Sequence, residues 1–119
     1  MNIHEKINYV EFPSTDIEKT KLFFSTVFNW EFQDFGLEYT SFNNEGLNGG
    51  FYLSDKSSVT GAGGALIVFY SNNLIQTQAK ITAAGGAIVK HIFEFPGGSR
   101  FHFTDTTGNE FAVWSDQGG

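Results

Sequence analysis

Cysteine is absent from this chain. That excludes disulfides, thiolate catalysis, cysteine-ligated zinc and iron–sulfur clusters. Basic residues are scarce: seven Lys and Arg face 13 Asp and Glu, for a formal charge of −6 and a pI of about 4.8. Nucleic acid and anionic membranes need a basic footprint, so neither is expected as a partner. No apolar run approaches the roughly 20 residues that a membrane helix requires. The start, Met1-Asn-Ile-His-Glu-Lys6, lacks the basic and apolar regions of a signal peptide. These absences predict a cytoplasmic protein. Its 119 residues predict one domain, spanning 1–119, with enough chain to bury a core.

Phenylalanine is abundant, with 14 copies against a single methionine. Large rings fill sheet–helix interfaces, so most of them are assigned to the core.

The chain also contains itself twice. Tyr9-Val-Glu-Phe-Pro-Ser-Thr-Asp16-Ile17 reads as a strand entering a helix, and Leu66-Ile-Val-Phe-Tyr-Ser-Asn-Asn73-Leu74 reads the same way 57 positions later. Asn43-Asn-Glu-Gly46-Leu-Asn-Gly-Gly50-Phe-Tyr52 resembles Asp105-Thr-Thr-Gly108-Asn-Glu-Phe-Ala112-Val-Trp114 at an offset of 62. An insertion around Pro96-Gly-Gly-Ser99 accounts for the difference. Two copies are too few for a solenoid. They imply two half-sheets related by a pseudo-twofold axis, with a cleft between them.

Each copy reads as βαβββ. In the first, residues 7–12 form a strand that Pro13 stops. Thr15 or Asp16 caps a helix whose apolar face carries Ile17, Thr20, Phe24, Val27 and Phe28. Strands follow at 30–35, 39–42 and 49–53. Residues 56–64 read as a linker, with Gly61-Ala-Gly-Gly64 as a flexible connection. In the second copy a strand at 65–70 leads to a helix capped by Asn72 or Asn73. That helix carries Leu74, Ile75, Ala79, Ile81 and Ala84 and ends at Gly85-Gly86. Strands at 87–95, 99–104 and 110–114 complete it. The fold class is thus α+β: paired βαβββ modules, about 5–55 and 64–116, forming a cupped mixed sheet with helices on the outer face. Alternation places Val10, Phe12, Ile67, Phe69, Phe101, Phe103, Phe111 and Val113 on the helix side. Tyr9, Glu11, Gly50, Tyr52, Leu66, Val68, His102, Thr104, Ala112 and Trp114 then face the cup.

The doubled βαβββ order, Phe12-Pro-Ser-Thr-Asp16, Val27-Phe-Asn-Trp30 and Asp105-Thr-Thr-Gly-Asn109 resemble the vicinal oxygen chelate superfamily. This is the group of glyoxalase I, bleomycin-resistance proteins and extradiol dioxygenases, here in its small glyoxalase-like branch. The resemblance implies a glyoxalase-like fold, often dimeric, so a homodimer is expected. It also implies a divalent metal held at the first and last strands of each half by His, Glu or Gln. In this chain those positions hold Tyr9, Gly50, Leu66 and Ala112. Leu, Ala and Gly side chains bind no metal, so neither a metal cofactor nor the usual metal-dependent lactoylglutathione lyase mechanism is expected.

Three functions remain. The first is metal-independent binding of a small apolar or aromatic molecule between the rings of the cup. The second is a lyase or isomerase in which Glu11 and His102 move protons. The third is an interaction module whose cup closes against a second copy. His4 is assigned to solvent, His91 to a surface or satisfied place at the sheet edge, and Glu110 to an exposed rim. Arg100 is a candidate cation near Glu11.

Overall fold

A computed structural model describes residues 2–117. The first module contains β1 (Val10–Ser14), α1 (Ile17–Phe28), β2 (Phe32–Asp34), β3 (Tyr39–Phe42) and β4 (Gly49–Leu53). The second contains β5 (Ile67–Tyr70), α2 (Leu74–Ala83), β6 (Ala87–Phe95), β7 (Gly98–Thr104) and β8 (Glu110–Ser115). They form two four-stranded mixed sheets, ordered β1-β4-β3-β2 and β5-β8-β7-β6. The first strand of each module runs parallel to its last, and the other pairs are antiparallel.

The internal repeat is visible in the register. Val10 pairs with Gly49, and Ile67 with Phe111. These pairs reproduce the offsets of 57 and 62. The helix starts repeat as well. Asp16 caps α1 by accepting from the Lys19 amide, and Asn73 caps α2 by accepting from the Gln76 amide. Beside each cap two hydroxyls pair, Ser14 with Thr20 at 2.8 Å and Ser71 with Thr77 at 2.7 Å.

Several expectations are corrected. β1 begins at Val10 and runs through Pro13. It is an edge strand of its sheet, where a residue without an N–H costs no ladder bond. β2 is shorter than 30–35, because Trp30 leaves the sheet to stack between Phe24 and Phe42, at 4.7 and 4.4 Å. On α2, Ile75 is 60% exposed and Thr77 is buried. The Thr77 hydroxyl satisfies itself on Ser71 and the Asn73 carbonyl, which allows it a place among apolar neighbours.

The core joins both modules on the helix side of the sheets. Phe24 of α1, 0% exposed, packs its ring 5.5 Å from Phe51 of β4 and 5.4 Å from Phe111 of β8. Phe12 of β1 packs 5.1 Å from Phe111. A polar staple reinforces this contact. The Asn109 side chain, also 0% exposed, donates to the Pro13 carbonyl at 2.6 Å and accepts from the Ser58 amide at 2.7 Å. The linker is therefore pinned rather than free. Ser57 donates to the Thr107 carbonyl, and residues 60–62 form a 3-10 turn. No helix among the described residues is long and apolar enough to cross a membrane.

Candidate functional site

The cup-facing sides of the two sheets carry different chemistry. On the first sheet, Tyr9 lies just before β1 and Glu11 within it, while Tyr39 opens β3. The Tyr39 hydroxyl donates to Glu11 Oε2 at 2.9 Å and lies 2.5 Å from the Tyr9 hydroxyl. Each hydroxyl has one proton. With that of Tyr39 committed to Glu11, Tyr9 donates to Tyr39, and the chain runs Tyr9 to Tyr39 to Glu11. Burial, then the contacts with Tyr9 and Glu11, push the Tyr39 phenol well above the usual tyrosine range. Gly50 makes this cluster possible. A Cβ at position 50 would overlap the Tyr39 hydroxyl and lie 2.8 Å from that of Tyr9. Tyr52 pairs with Tyr39 across β3 and β4 and is exposed.

On the second sheet, His102 of β7 is 6% exposed, and its Nδ1 lies 2.8 Å from Glu110 Oε2. Glu110 Oε1 accepts from the Thr60 amide at 2.9 Å and the Thr60 hydroxyl at 2.8 Å. Burial opposes the charge on Glu110, but His102 and Thr60 outweigh it and hold the carboxyl below the usual glutamate range. An ionised carboxylate accepts only. It therefore fixes a proton on Nδ1 and leaves Nε2 free to accept when the ring is neutral. Nε2 is buried and has no partner among the described residues. Thr104 stands opposite Glu110, Ala112 opposite His102 and Trp114 opposite Arg100. Trp114 packs against Tyr70 at 5.3 Å in a T-shaped pair. Leu66 is half-buried and Val68 exposed.

Glu11 and His102 thus stand on different sheets, and each is bonded to another residue. Glu110 is largely covered instead of forming an exposed rim, because it lies beneath Thr60 of the pinned linker. Arg100 packs on Phe93 and Phe95, and no ion pair joins it to Glu11. Sequence reasoning missed Tyr39, although its alternation with Thr40 and Phe42 places it on the cup face. Thr60 gave no signal, since its role comes from a loop fold.

The four positions that would hold the superfamily's metal do not fit one. Leu66 and Ala112 offer only carbon, and Gly50 offers nothing. The space a side chain at 50 would use is taken by the Tyr39 hydroxyl. Tyr9 alone brings an oxygen, and it is already bonded to Tyr39. Among the described residues no three His, Cys, Asp or Glu side chains gather. A cavity of about 540 Å³ lies between Val10 and Phe12 of β1 and the strand β5, lined also by Trp30 and Phe42. Leu66 and Val68 line it as well as the cup face.

A family model of the Glyoxalase/Bleomycin resistance protein/Dioxygenase superfamily matches residues 6–113. The chain belongs to this superfamily. Solved structures agree on the fold. An enzyme of the glyoxalase/bleomycin resistance protein/dioxygenase family from Burkholderia phytofirmans PsJN is 16% identical with a TM-score of 0.77, covering 92% of this chain and 98% of that one. The fosfomycin resistance protein FosX from Listeria monocytogenes is 18% identical with a TM-score of 0.75, covering 97% and 99%. A lactoylglutathione lyase from Agrobacterium tumefaciens is 16% identical with a TM-score of 0.70, covering 95% of each. None of the curated proteins matches the sequence. At such identities the structural likeness carries the superfamily fold and no particular activity.

Proposed function

We propose that this superfamily member binds a small apolar or aromatic molecule in its sheet cup without the superfamily's metal. The observation that carries the reading is the Tyr39 hydroxyl seated where a side chain at Gly50 would stand. A ligand position has been rebuilt as a hydrogen-bond cluster. On the cup faces of the two sheets Tyr9, Tyr52, Val68 and Tyr70 are 41–51% exposed. Covering such surface with an apolar ligand is favourable by about 25 cal/mol per Å². The test is a titration of flat aromatic compounds followed by Trp114 emission, with and without a chelator. Saturable quenching that survives the chelator and disappears in Trp114→Phe is expected. Quenching that needs added Ni, Zn or Mn overturns the metal-free reading.

A second reading is a lyase or isomerase. It is favoured by the His102–Glu110 pair, which leaves Nε2 ready to accept a proton. Glu11, supplied with protons through Tyr39 and Tyr9, would be the other group. Glu11→Gln should then abolish turnover of any substrate found while leaving the fold intact. Full turnover in that variant sinks this reading. In either case the exposed rings suit closure by a second copy of the chain, and light scattering of the purified protein measures whether a homodimer forms.

A further inference from the structure

β6 does not pair regularly with β7. Its partners are Ile88 with Phe103, Lys90 with His102 and Phe93 with Arg100, with register shifts between them. Lys90 and Phe93 are three apart, so a regular strand would send them to opposite faces. The second shift sets both against β7 residues of one face, Arg100 and His102. Bulges of this kind re-aim side chains and occur beside active sites. The outcome is a cluster around one ring. Lys90 Nζ lies 4.4 Å from the Phe93 centroid, the Arg100 guanidinium 5.3 Å and the His102 ring 6.1 Å.

This concentration of basic groups is unusual in a chain with only seven Lys and Arg and a charge of −6. Among the described residues no carboxylate forms an ion pair with Lys90 or Arg100, and the one acid on His102 is Glu110. Two of the three groups also carry a buried nitrogen without a partner, Arg100 Nε and His102 Nε2. Arg100 Nε–H is a buried donor, and leaving one unmade costs about 1–3 kcal/mol, a cost that an acceptor supplied by a ligand would remove. The neighbouring wall is aromatic. Arg100 also covers Phe95, whose ring lies 6.4 Å from Trp114.

We infer that the second sheet carries an anion subsite, in which Lys90, Arg100 and His102 around the Phe93 ring receive the carboxylate of a flat aromatic acid. The aromatic body lies toward Phe95 and Trp114, and this half of the inference rests on the binding function proposed above. Arg100 and Lys90 supply charge and donors, and the His102 ring bounds the subsite. Glu110 keeps the opposite side of that ring occupied.

Three probes separate the head from the body: sodium acetate, 1-naphthoate and uncharged 1-naphthalenemethanol. The NMR signals of Arg100 Nε–H and the His102 ring report on the subsite, and Trp114 emission reports on the wall. Acetate and naphthoate should shift both NMR signals saturably, and the alcohol should shift neither. Arg100→Gln, and the exposed and fold-neutral Lys90→Gln, should each weaken naphthoate by roughly tenfold and leave the alcohol's affinity unchanged. The inference is overturned if acetate and naphthoate leave both signals unmoved, or if both aromatic probes bind and naphthoate binds no tighter than the alcohol. If neither aromatic probe quenches Trp114 while acetate still moves both signals, aromatic binding falls and the anion subsite stands.

Discussion

The two modules share a skeleton and differ on one face. Toward the helices they match in detail. Ser14 and Thr20 answer to Ser71 and Thr77, Asp16 answers to Asn73, and Phe12 answers to Phe69. Toward the cup they part. Tyr9, Glu11, Tyr39 and Ser41 of the first sheet occupy the register positions of Leu66, Val68, Arg100 and His102 of the second. The first sheet therefore presents linked hydroxyls and an acid, and the second presents basic groups beside aliphatic carbon. Backbone caps and close packing restrict what each helix-side position can hold. Cup-side positions cap no helix, and the chemistry has diverged there.

The largest predicted effect tests whether the modules share one core. Phe24 touches rings from both sheets, so Phe24→Ala should cost about 3–5 kcal/mol and leave a single urea transition. Two separated transitions would show that the halves unfold independently. Next comes the staple, which only the second module has. Asn109→Ala strands the Pro13 carbonyl and the Ser58 amide at a cost of about 2–4 kcal/mol. Its counterpart by offset, Leu47, is half-buried in the cavity wall, and Leu47→Ala should cost less than about half as much. Equal losses from the two would erase this asymmetry. Smaller still are the repeated hydroxyl pairs. Thr20→Val and Thr77→Val should each cost about 1 kcal/mol by urea denaturation, and clearly unequal values would break the helix-side equivalence.

The skeleton was legible in the sequence because it rests on local rules. The βαβββ order, each cap to within two neighbouring residues, and the alternation of Phe101, His102 and Phe103 follow from short patterns. Asp16 and Asn73 cap as capping chemistry requires, and the repeat offsets reappear as strand registers. Less legible was whatever depends on a partner distant in the chain. Asn109 reads as a turn residue, and nothing near it announces Pro13, 96 positions away. Glu110 reads as an exposed rim until the linker folds Thr60 onto it. The β6 bulge has no sequence signature here, so the meeting of Lys90 with Phe93 on one face could not be anticipated. The face of Tyr39 was legible and overlooked, since its strand's alternation puts it on the cup side; its reach across β4 to Glu11, over Gly50, depends on the sheet order.

The smallest predicted effects set the two faces against each other in pH. The Tyr39 pKa is raised, chiefly by burial and then by Tyr9 and Glu11, from an ordinary value of 10.0. A raised pKa means that the native state holds the proton more tightly than the unfolded chain. The first sheet's contribution is therefore complete below pH 10.0 and is lost as the pH climbs above it. The Glu110 pKa is lowered from an ordinary 4.5, because His102 and Thr60 overcome its burial. That contribution is complete above pH 4.5 and is lost as the pH falls below it. Asp105, raised by burial, works in the opposite sense at the acid end, so each contribution is read as a difference from a variant. Stability profiles of wild type, Tyr39→Phe and Glu110→Gln should then diverge at opposite ends. Tyr39→Phe should flatten the alkaline limb only, and Glu110→Gln the acid limb only. If both variants run parallel to wild type at both limbs, neither cluster is linked to folding, and the two cup faces differ in residues without differing in energetics.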